Sequence, residues 1–319
     1  MTGTPGSKGR RVHLDYAATT GLDPRVEAAM RPYHHLPGNA SSVHASGRAA
    51  REALEDARER LARCIGAQAR EITFTSGGTE ADNQAILGLT LERGGHVITT
   101  AIEHSAVLAP ARWLERSGRC RVTYLPPDEH GIVHPEQLSE AICPDTVLVS
   151  VMHLNNEVGS IQDIPAIAAE CRERGVPLHV DAVQSLGALP LDVSALGADL
   201  LSLSAHKVHG PKGVGALWVR LGLELTPIIH GGHQERGLRG GTSNLPGAVG
   251  MALAAEIAVA EQPAEAERLT ALLNRFAGQL LTIEGVSLNG HSERRGPRHV
   301  NVTAHGCDGE ALLMNLDLE

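Results

Sequence analysis

Aromatic side chains are nearly missing: the chain has two Phe, three Tyr and two Trp in 319 residues. So few flat surfaces argue against stacking on the bases of nucleic acid. Basic runs are missing too, and the formal net charge is −9. Neither nucleic acid nor an anionic membrane is therefore an expected partner. No apolar stretch is long enough to span a bilayer, and no signal-peptide core follows the polar residues 1–11. The five cysteines, Cys64, Cys120, Cys143, Cys171 and Cys307, form no C-x-x-C pair and follow no metal-ligand spacing. Reduced thiols in a cytoplasmic protein are the expectation. Two nucleotide signatures are also lacking. Gly210-Pro211-Lys212-Gly213 is not a Walker loop, and no G-x-G-x-x-G follows the first strand.

What is present is a globular composition, with 42% hydrophobic and 20% charged residues. Short apolar runs alternate with helical patterns from about residue 70 to 220. Strands are predicted at Glu71 to Thr75, His96 to Thr100, Arg121 to Leu125, Thr146 to Met152, Leu178 to Asp181, Leu200 to Ser204 and Val214 to Val219. This repetition predicts an α/β fold: a mostly parallel seven-stranded sheet with helices on both faces. The short Gly-Pro link between the last two strands predicts that one of them runs antiparallel. An Ala/Leu stripe predicts a helix over 49–63. After residue 245, Ala/Leu/Glu-rich helices are predicted over about 246–261 and 264–282, followed by Val286 to Leu288, Arg298 to Thr303 and a last helix from Gly309 to Leu318. The domain expectation is an N-terminal segment (1–14), a large domain (15–245) and part of a small α+β domain (246–319). His34, His35 and His44 are read as loop histidines rather than metal ligands.

In a parallel sheet, functional groups gather at the carboxyl ends of the strands. Four ends here carry chemistry. Ser76-Gly77-Gly78-Thr79-Glu80 opens a helix and reads either as an anion cradle or as an ordinary capped turn. Asp181 can cap the next turn, bind a metal or pair with a buried cation. His153 to Gly159 is dense in polar groups. Ser204-Ala205-His206-Lys207 ends on a lysine that is either a surface loop residue or a reactive amine. Pyridoxal phosphate would explain all four: Lys207 as imine partner, Asp181 opposite the ring nitrogen, and Gly78 and Thr79 around the phosphate, with Ser204 and His206 as further donors.

These stretches also resemble a family. Leu14 to Thr20, Gly38 to His44, Phe74 to Asn83, Glu103-His104, His153 to Gly159, Val180 to Ser185, Ser204 to Lys207 and Arg239 to Thr242 are similar, in order and spacing, to the cysteine desulfurases of iron–sulfur cluster assembly. Those are class V aminotransferase relatives. The resemblance implies a fold-type-I homodimer that takes sulfur from L-cysteine, leaves alanine and passes a persulfide to an acceptor or scaffold protein. By position it implies that Gln184 pairs with the ring oxygen, that Asn156 lies near it, and that His104 stacks on the ring and moves protons. It implies that Thr242 reaches the phosphate of the neighbouring subunit.

In that family the nucleophilic cysteine and the carboxylate-binding arginine follow the last helix, beyond position 319. The expectation is a truncated desulfurase with an intact cofactor set; the alternative is a catalytically silent scaffold. Cys307 precedes the helix and is read as a turn residue, and the other cysteines as partly buried, inert thiols in helices or loops. The incomplete small domain is expected to expose apolar faces.

Overall fold

The computed structural model describes residues 12–318, so most of the predicted N-terminal segment lies outside the described residues. The elements in chain order are α1 (Pro24–His34), α2 (Ala45–Cys64), β1 (Ile72–Thr75), α3 (Gly78–Thr90), β2 (Gly95–Thr100), α4 (Ser105–Arg116), β3 (Cys120–Leu125), α5 (Pro135–Ala141) and β4 (Thr146–Met152). There follow α6 (Ile164–Glu173), β5 (Leu178–Asp181), α7 (Val193–Leu196), β6 (Leu200–Ser204), β7 (Gly215–Val219), α8 (Leu245–Leu280), β8 (Val286–Leu288), β9 (Val302–Ala304) and α9 (Gly309–Leu318).

Seven strands form one sheet in the order β1-β7-β6-β5-β4-β2-β3. β2 through β6 run parallel, and β7 is antiparallel to both β1 and β6. The predicted antiparallel partner is therefore β7, because the tight Gly-Pro turn after Lys207 is too short for a crossover helix. Both faces are covered. Ile98, Val149, Val151, Val180 and Leu201 belong to one core with α1, α2, α6 and the first half of α8. Val97, Leu148, Leu200 and Leu217 belong to a second core with α3 and α4. Strand residues of alternating parity thus supply the two cores, as the period of two requires.

Local chemistry sets the helix starts. Asp23 accepts from the Arg25 N–H at 2.7 Å, with Pro24 as the first helical residue of α1. Asp163 accepts from the Ala166 N–H at 3.1 Å and starts α6. Two expectations change. His34 closes α1 and His44 caps α2, its Nδ1 accepting from the Gly47 N–H at 3.3 Å, so neither is a plain loop histidine. The two helices predicted around residue 262 are one, α8, which passes through Pro263. A proline inside a helix costs about 3 kcal/mol. Here the carbonyl that loses its donor belongs to Val259, which is 39% exposed, so water can bond it. The Ala/Glu/Leu flanks are strong helix formers.

β2 connects outward to β3 while the chain returns on the other side, through β4, to β5 and β6. The carboxyl ends of β2 and β4 therefore flank a topological switch point, where α/β sheets bind ligands. β8 and β9 form a separate antiparallel pair. α9 leaves Leu313, Met314 and Leu316 exposed.

Candidate functional site

A cavity of about 230 Å³ lies at the carboxyl ends of β4, β5 and β6. It is lined by Gly78, Thr79, His104, Asn156, Asp181, Gln184, Ser204, His206 and Lys207, together with Ala18, Asp82, Met152 and Val183. Every site residue predicted from sequence except Thr242 meets here. Thr242 borders a neighbouring groove with Ser76, Gly213, Arg239 and Asn244.

The Gly78 wall is the start of α3. Gly77, at the N-cap, has no side chain to satisfy the first-turn N–H groups. The turn is braced from outside: Glu80 accepts from the Ser76 N–H at 2.9 Å and from Arg239 Nε at 3.0 Å. A Cβ on Gly78 would lie 2.7 Å from Val183 Cγ2. Glycine is what lets the helix start approach the turn that follows Asp181. Facing it, the Ser204 hydroxyl is buried and lacks a hydrogen-bond partner. His206 Nδ1 lies 3.2 Å from Thr19 Oγ1.

Lys207 closes the 3₁₀ turn after β6. Its ammonium donates to the carbonyls of Ala17 at 2.6 Å and Ala18 at 2.9 Å. Burial lowers its pKa, opposed by Asp181, Asp15 and Glu157. Gln184 Nε2 donates to the same Ala17 oxygen at 2.9 Å. Arg298 donates to the Lys207 carbonyl at 3.3 Å and to that of Gly187 at 2.9 Å, tying this turn to the chain before β9.

Asp181 ends β5 and accepts from the Val183 N–H at 2.9 Å. Burial raises its carboxyl; the Val183 N–H, His104 and Lys207 pull the other way. Asp82 lies beside it, fully buried, with one carboxyl oxygen lacking a partner. Burial and the Asp181 charge push Asp82 well up. Asp181 has an N–H and two basic groups opposing its rise, whereas Ser202 alone opposes that of Asp82, so Asp82 is the acid of the pair pushed further toward its neutral form. His179, 3.5 Å from Asp82, sits between the hydroxyls of Ser150 (2.8 Å) and Ser202 (2.9 Å). Burial pushes His179 down to about 3, so this contact joins neutral groups.

His104 caps α4. Its Nδ1 accepts from the Ala106 N–H at 3.1 Å, which leaves Nε2 as the protonated nitrogen of the neutral ring. Asn155 holds the loop after β4: Oδ1 accepts from the N–H groups of Glu157 and Val158, and Nδ2 donates to Ile102 O at 3.0 Å. Asn156 Nδ2 donates to Glu157 at 2.7 Å. Sequence reasoning missed Asp82, although it lies one helical turn after Thr79 and so shares its face. The cysteines lie elsewhere: none lines this cavity, and Cys120 sits in a strand rather than in the helix or loop expected.

An uncapped helix start, a reactive-type lysine, a buried acid and an unpartnered hydroxyl around one cavity define a site for an anionic ligand with a covalent handle. The class V aminotransferase family model matches residues 12–319. The chain therefore belongs to that family, among its cysteine desulfurases. It is 47% identical to "Cysteine desulfurase IscS" of Dictyoglomus turgidum over 315 residues, covering 97% of this chain and 80% of that one. It is 45% identical to "Cysteine desulfurase IscS" of Methanosarcina thermophila, covering 98% and 78%. Among solved structures, a NifS-like protein superposes with a TM-score of 0.93 at 39% identity, covering 97% of this chain and 86% of that one. The structure titled "SspA in complex with cysteine" superposes with a TM-score of 0.84 at 38% identity, covering 96% and 87%. Among the described residues no helix is long and apolar enough to cross a membrane.

Proposed function

We propose that the cavity holds pyridoxal phosphate and that the chain acts as a cysteine desulfurase on L-cysteine in the cytoplasm. One observation carries this reading. Lys207, the buried Asp181 and the unpartnered Ser204 hydroxyl face one cavity at an uncapped helix N-terminus. The donor set fits the group. Gly78, Thr79, Ser204 and His206 would take the phosphate, which would bring an acceptor to the orphaned hydroxyl. Asp181 would pair with the ring nitrogen, Gln184 and Asn156 would serve the ring oxygen, and His104 would stack on the ring. Bound there, pyridoxal phosphate supplies an electron sink for the pair left when a substrate bond at Cα breaks.

The protein's own groups do the rest. Lys207 would be the covalent attachment point, and its free amine would take the Cα proton of the substrate. Burial favours the neutral amine that this role needs. Asp181 would keep the ring nitrogen protonated. His104, with Nδ1 engaged by Ala106, presents Nε2 for proton transfer near the substrate. The substrate C–S bond breaks as its sulfur joins an attacking thiolate, leaving alanine and a persulfide for an acceptor or scaffold protein. That thiol comes from outside the residues that line the cavity. We assign Thr242 to the phosphate of a second copy in a homodimer, consistent with its place outside its own cavity. Residues 15–245 form the cofactor domain together with the first half of α8, which shares its core; the chain after that belongs to a smaller one.

The test is reconstitution with pyridoxal phosphate, borohydride trapping and peptide mass spectrometry, followed by alanine measurement with L-cysteine. The adduct is expected on Lys207. A folded, saturated protein carrying no adduct there would overturn the assignment.

A further inference from the structure

We propose that Cys143 is a second reactive thiol, built as a cysteine–histidine pair at the end of the sheet opposite the cavity, and that it exchanges with low-molecular-weight disulfides. Three adjacent strands build the site. In register, His96 of β2 lies beside Arg121 of β3 and Thr146 of β4. The loop before β4 adds Cys143. β4 runs from Thr146 to Met152, so about 20 Å of extended chain separates this cluster from the cavity.

Cys143 Sγ lies 3.1 Å from His96 Nδ1, 3.3 Å from Thr146 Oγ1, 3.3 Å from an Arg121 guanidinium nitrogen and 3.2 Å from Asp145 Oδ1. His96 Nε2 lies 2.9 Å from Thr123 Oγ1, which orients the ring. A nucleophile in contact with a base that a third group holds is the signature of an activated thiol. Burial, and after it Arg121, lowers the His96 pKa; Nδ1 also lies 2.9 Å from Thr146 Oγ1, so the hydroxyl and the thiol share the nitrogen that takes the thiol proton. The thiolate then faces three donors: the His96 N–H, the Thr146 hydroxyl and Arg121. Asp145 opposes it, but Arg121 also binds Asp145, at 3.0 Å and 3.2 Å.

The other cysteines lack this surrounding. Burial pushes Cys64 up to about 11 and Cys171 up to about 12, and it raises Cys120. Cys307 is exposed, and among the described residues no hydrogen bond reaches its sulfur. Cys143 is half-buried beside the exposed Arg121 and Asp145, so a small reagent can reach it. The inert reading of the cysteines thus holds poorest for Cys143.

The step balances without a further reactant. The Cys143 proton passes to His96 Nδ1. The thiolate attacks one sulfur of the disulfide, the new S–S bond forms, and the old one breaks. The departing thiolate takes the proton from His96. Cys143 is oxidised to a mixed disulfide, and half of the reagent is reduced to a thiol.

The test uses the full chain loaded with pyridoxal phosphate and glutathione disulfide as the probe. Site-resolved mass spectrometry reads the initial rate at each cysteine. Cys143 is expected to react on the order of tenfold faster than the exposed Cys307. Arg121→Gln, a change at an exposed side chain, is expected to slow Cys143 several-fold with Cys307 unaffected. The same slowing with uncharged iodoacetamide ties the effect to the thiolate and not to attraction of the glutathione carboxylates. His96→Asn should slow both reagents further. Cys143 reacting no faster than Cys307, or at an unchanged rate with iodoacetamide in Arg121→Gln, would overturn the proposal.

Discussion

The Lys207 ammonium donates to the Ala17 carbonyl at 2.6 Å, across 190 positions of sequence. Gln184 donates to the same oxygen. The segment before α1 thus forms one wall of the cavity and presents carbonyl dipoles to the amine. Those carbonyls satisfy the ammonium while the site is open; the amine must leave them to make a covalent bond. Lys207→Ala is expected to abolish the visible absorbance band of the bound cofactor and to stop alanine formation. Lys207→Arg keeps the positive charge and should lose both as well, because a guanidinium does not deprotonate near neutral pH. Retention of the band in Lys207→Ala, read by absorption spectroscopy, would separate binding from this amine.

The paired buried acids should respond differently. Asp181→Asn removes the carboxylate assigned above to the ring nitrogen, and turnover is expected to fall on the order of a hundredfold or more. Asp82→Asn replaces a group that is already neutral by one of the same shape. Its melting temperature is expected to stay within a few degrees of the parent. If Asp82→Asn instead destabilised the protein as strongly as breaking a buried ion pair does, the ionised member would be Asp82.

At Ser204 the open and loaded states should move in opposite directions. The hydroxyl is buried without a partner, a situation that costs about 1–3 kcal/mol. Ser204→Ala is therefore expected to leave the cofactor-free protein as stable as before, or more so, while weakening cofactor affinity on the order of tenfold. Gly78→Ala forces Val183 aside and should weaken affinity too. Thermal melts with and without pyridoxal phosphate, beside equilibrium titration, read both. Equal loss of stability in both states of Ser204→Ala would make the hydroxyl merely structural.

The strand ends were legible in the sequence because each is a short buried apolar run that stops at a polar group. That pattern is carried by adjacent residues and gave Gly78, Thr79, Asp181, Ser204, His206 and Lys207, whereas His104, Asn156 and Gln184 came only from the family resemblance. What escaped depends on distant neighbours. Asp82 reads as an ordinary polar helix position, and His179 as a break in an apolar strand. Only the sheet order brings them together beneath Asp181. Arg58 and Glu235 look like surface charges, yet their side chains are 2% and 3% exposed. Continuity through Pro263 was hidden for a related reason: local propensity marks the proline as a break, while the exposed position of Val259 and the helix-forming flanks let the helix continue.

Arg58 and Glu235 supply a stability prediction. Arg58 Nη1 lies 2.6 Å from Glu235 and also donates to the Ile72 carbonyl at 2.8 Å. Glu235 accepts from the Phe74 N–H at 3.0 Å. Its backbone is left-handed, with φ of 46°, so the chain adopts an uncommon conformation to deliver this carboxylate behind β1. Glu235→Ala leaves the buried guanidinium only the half-exposed Glu55 at 3.2 Å and the Ile72 carbonyl, strands the Phe74 N–H, and is expected to cost about 3 kcal/mol. Arg31→Ala breaks the exposed pair with Glu27 and should cost at most about 0.5 kcal/mol. Urea unfolding distinguishes them; similar small losses would show Arg58 finding water.

Glu103 gives the pH dependence a sign. It follows β2 and accepts at one oxygen from Thr100 Oγ1 (2.7 Å) and the Met152 N–H (2.9 Å). Its other oxygen is buried without a partner. Burial is the main cause that raises the carboxyl from 4.5 to about 8. Between these values the folded protein holds a proton that the unfolded chain has released. This group's contribution to stability is therefore complete below about pH 4.5 and drains away as pH rises toward 8, by up to about 1.4 kcal/mol per pH unit. Glu103→Gln keeps the acceptor oxygen and has no proton to lose. The variant is expected to gain on the parent steadily from pH 5 to pH 8 in denaturant unfolding at fixed cofactor loading, with the difference levelling off above pH 8. Stability curves that stay parallel across that range would mean Glu103 is ionised in the folded protein, a second buried negative charge within reach of Asp181.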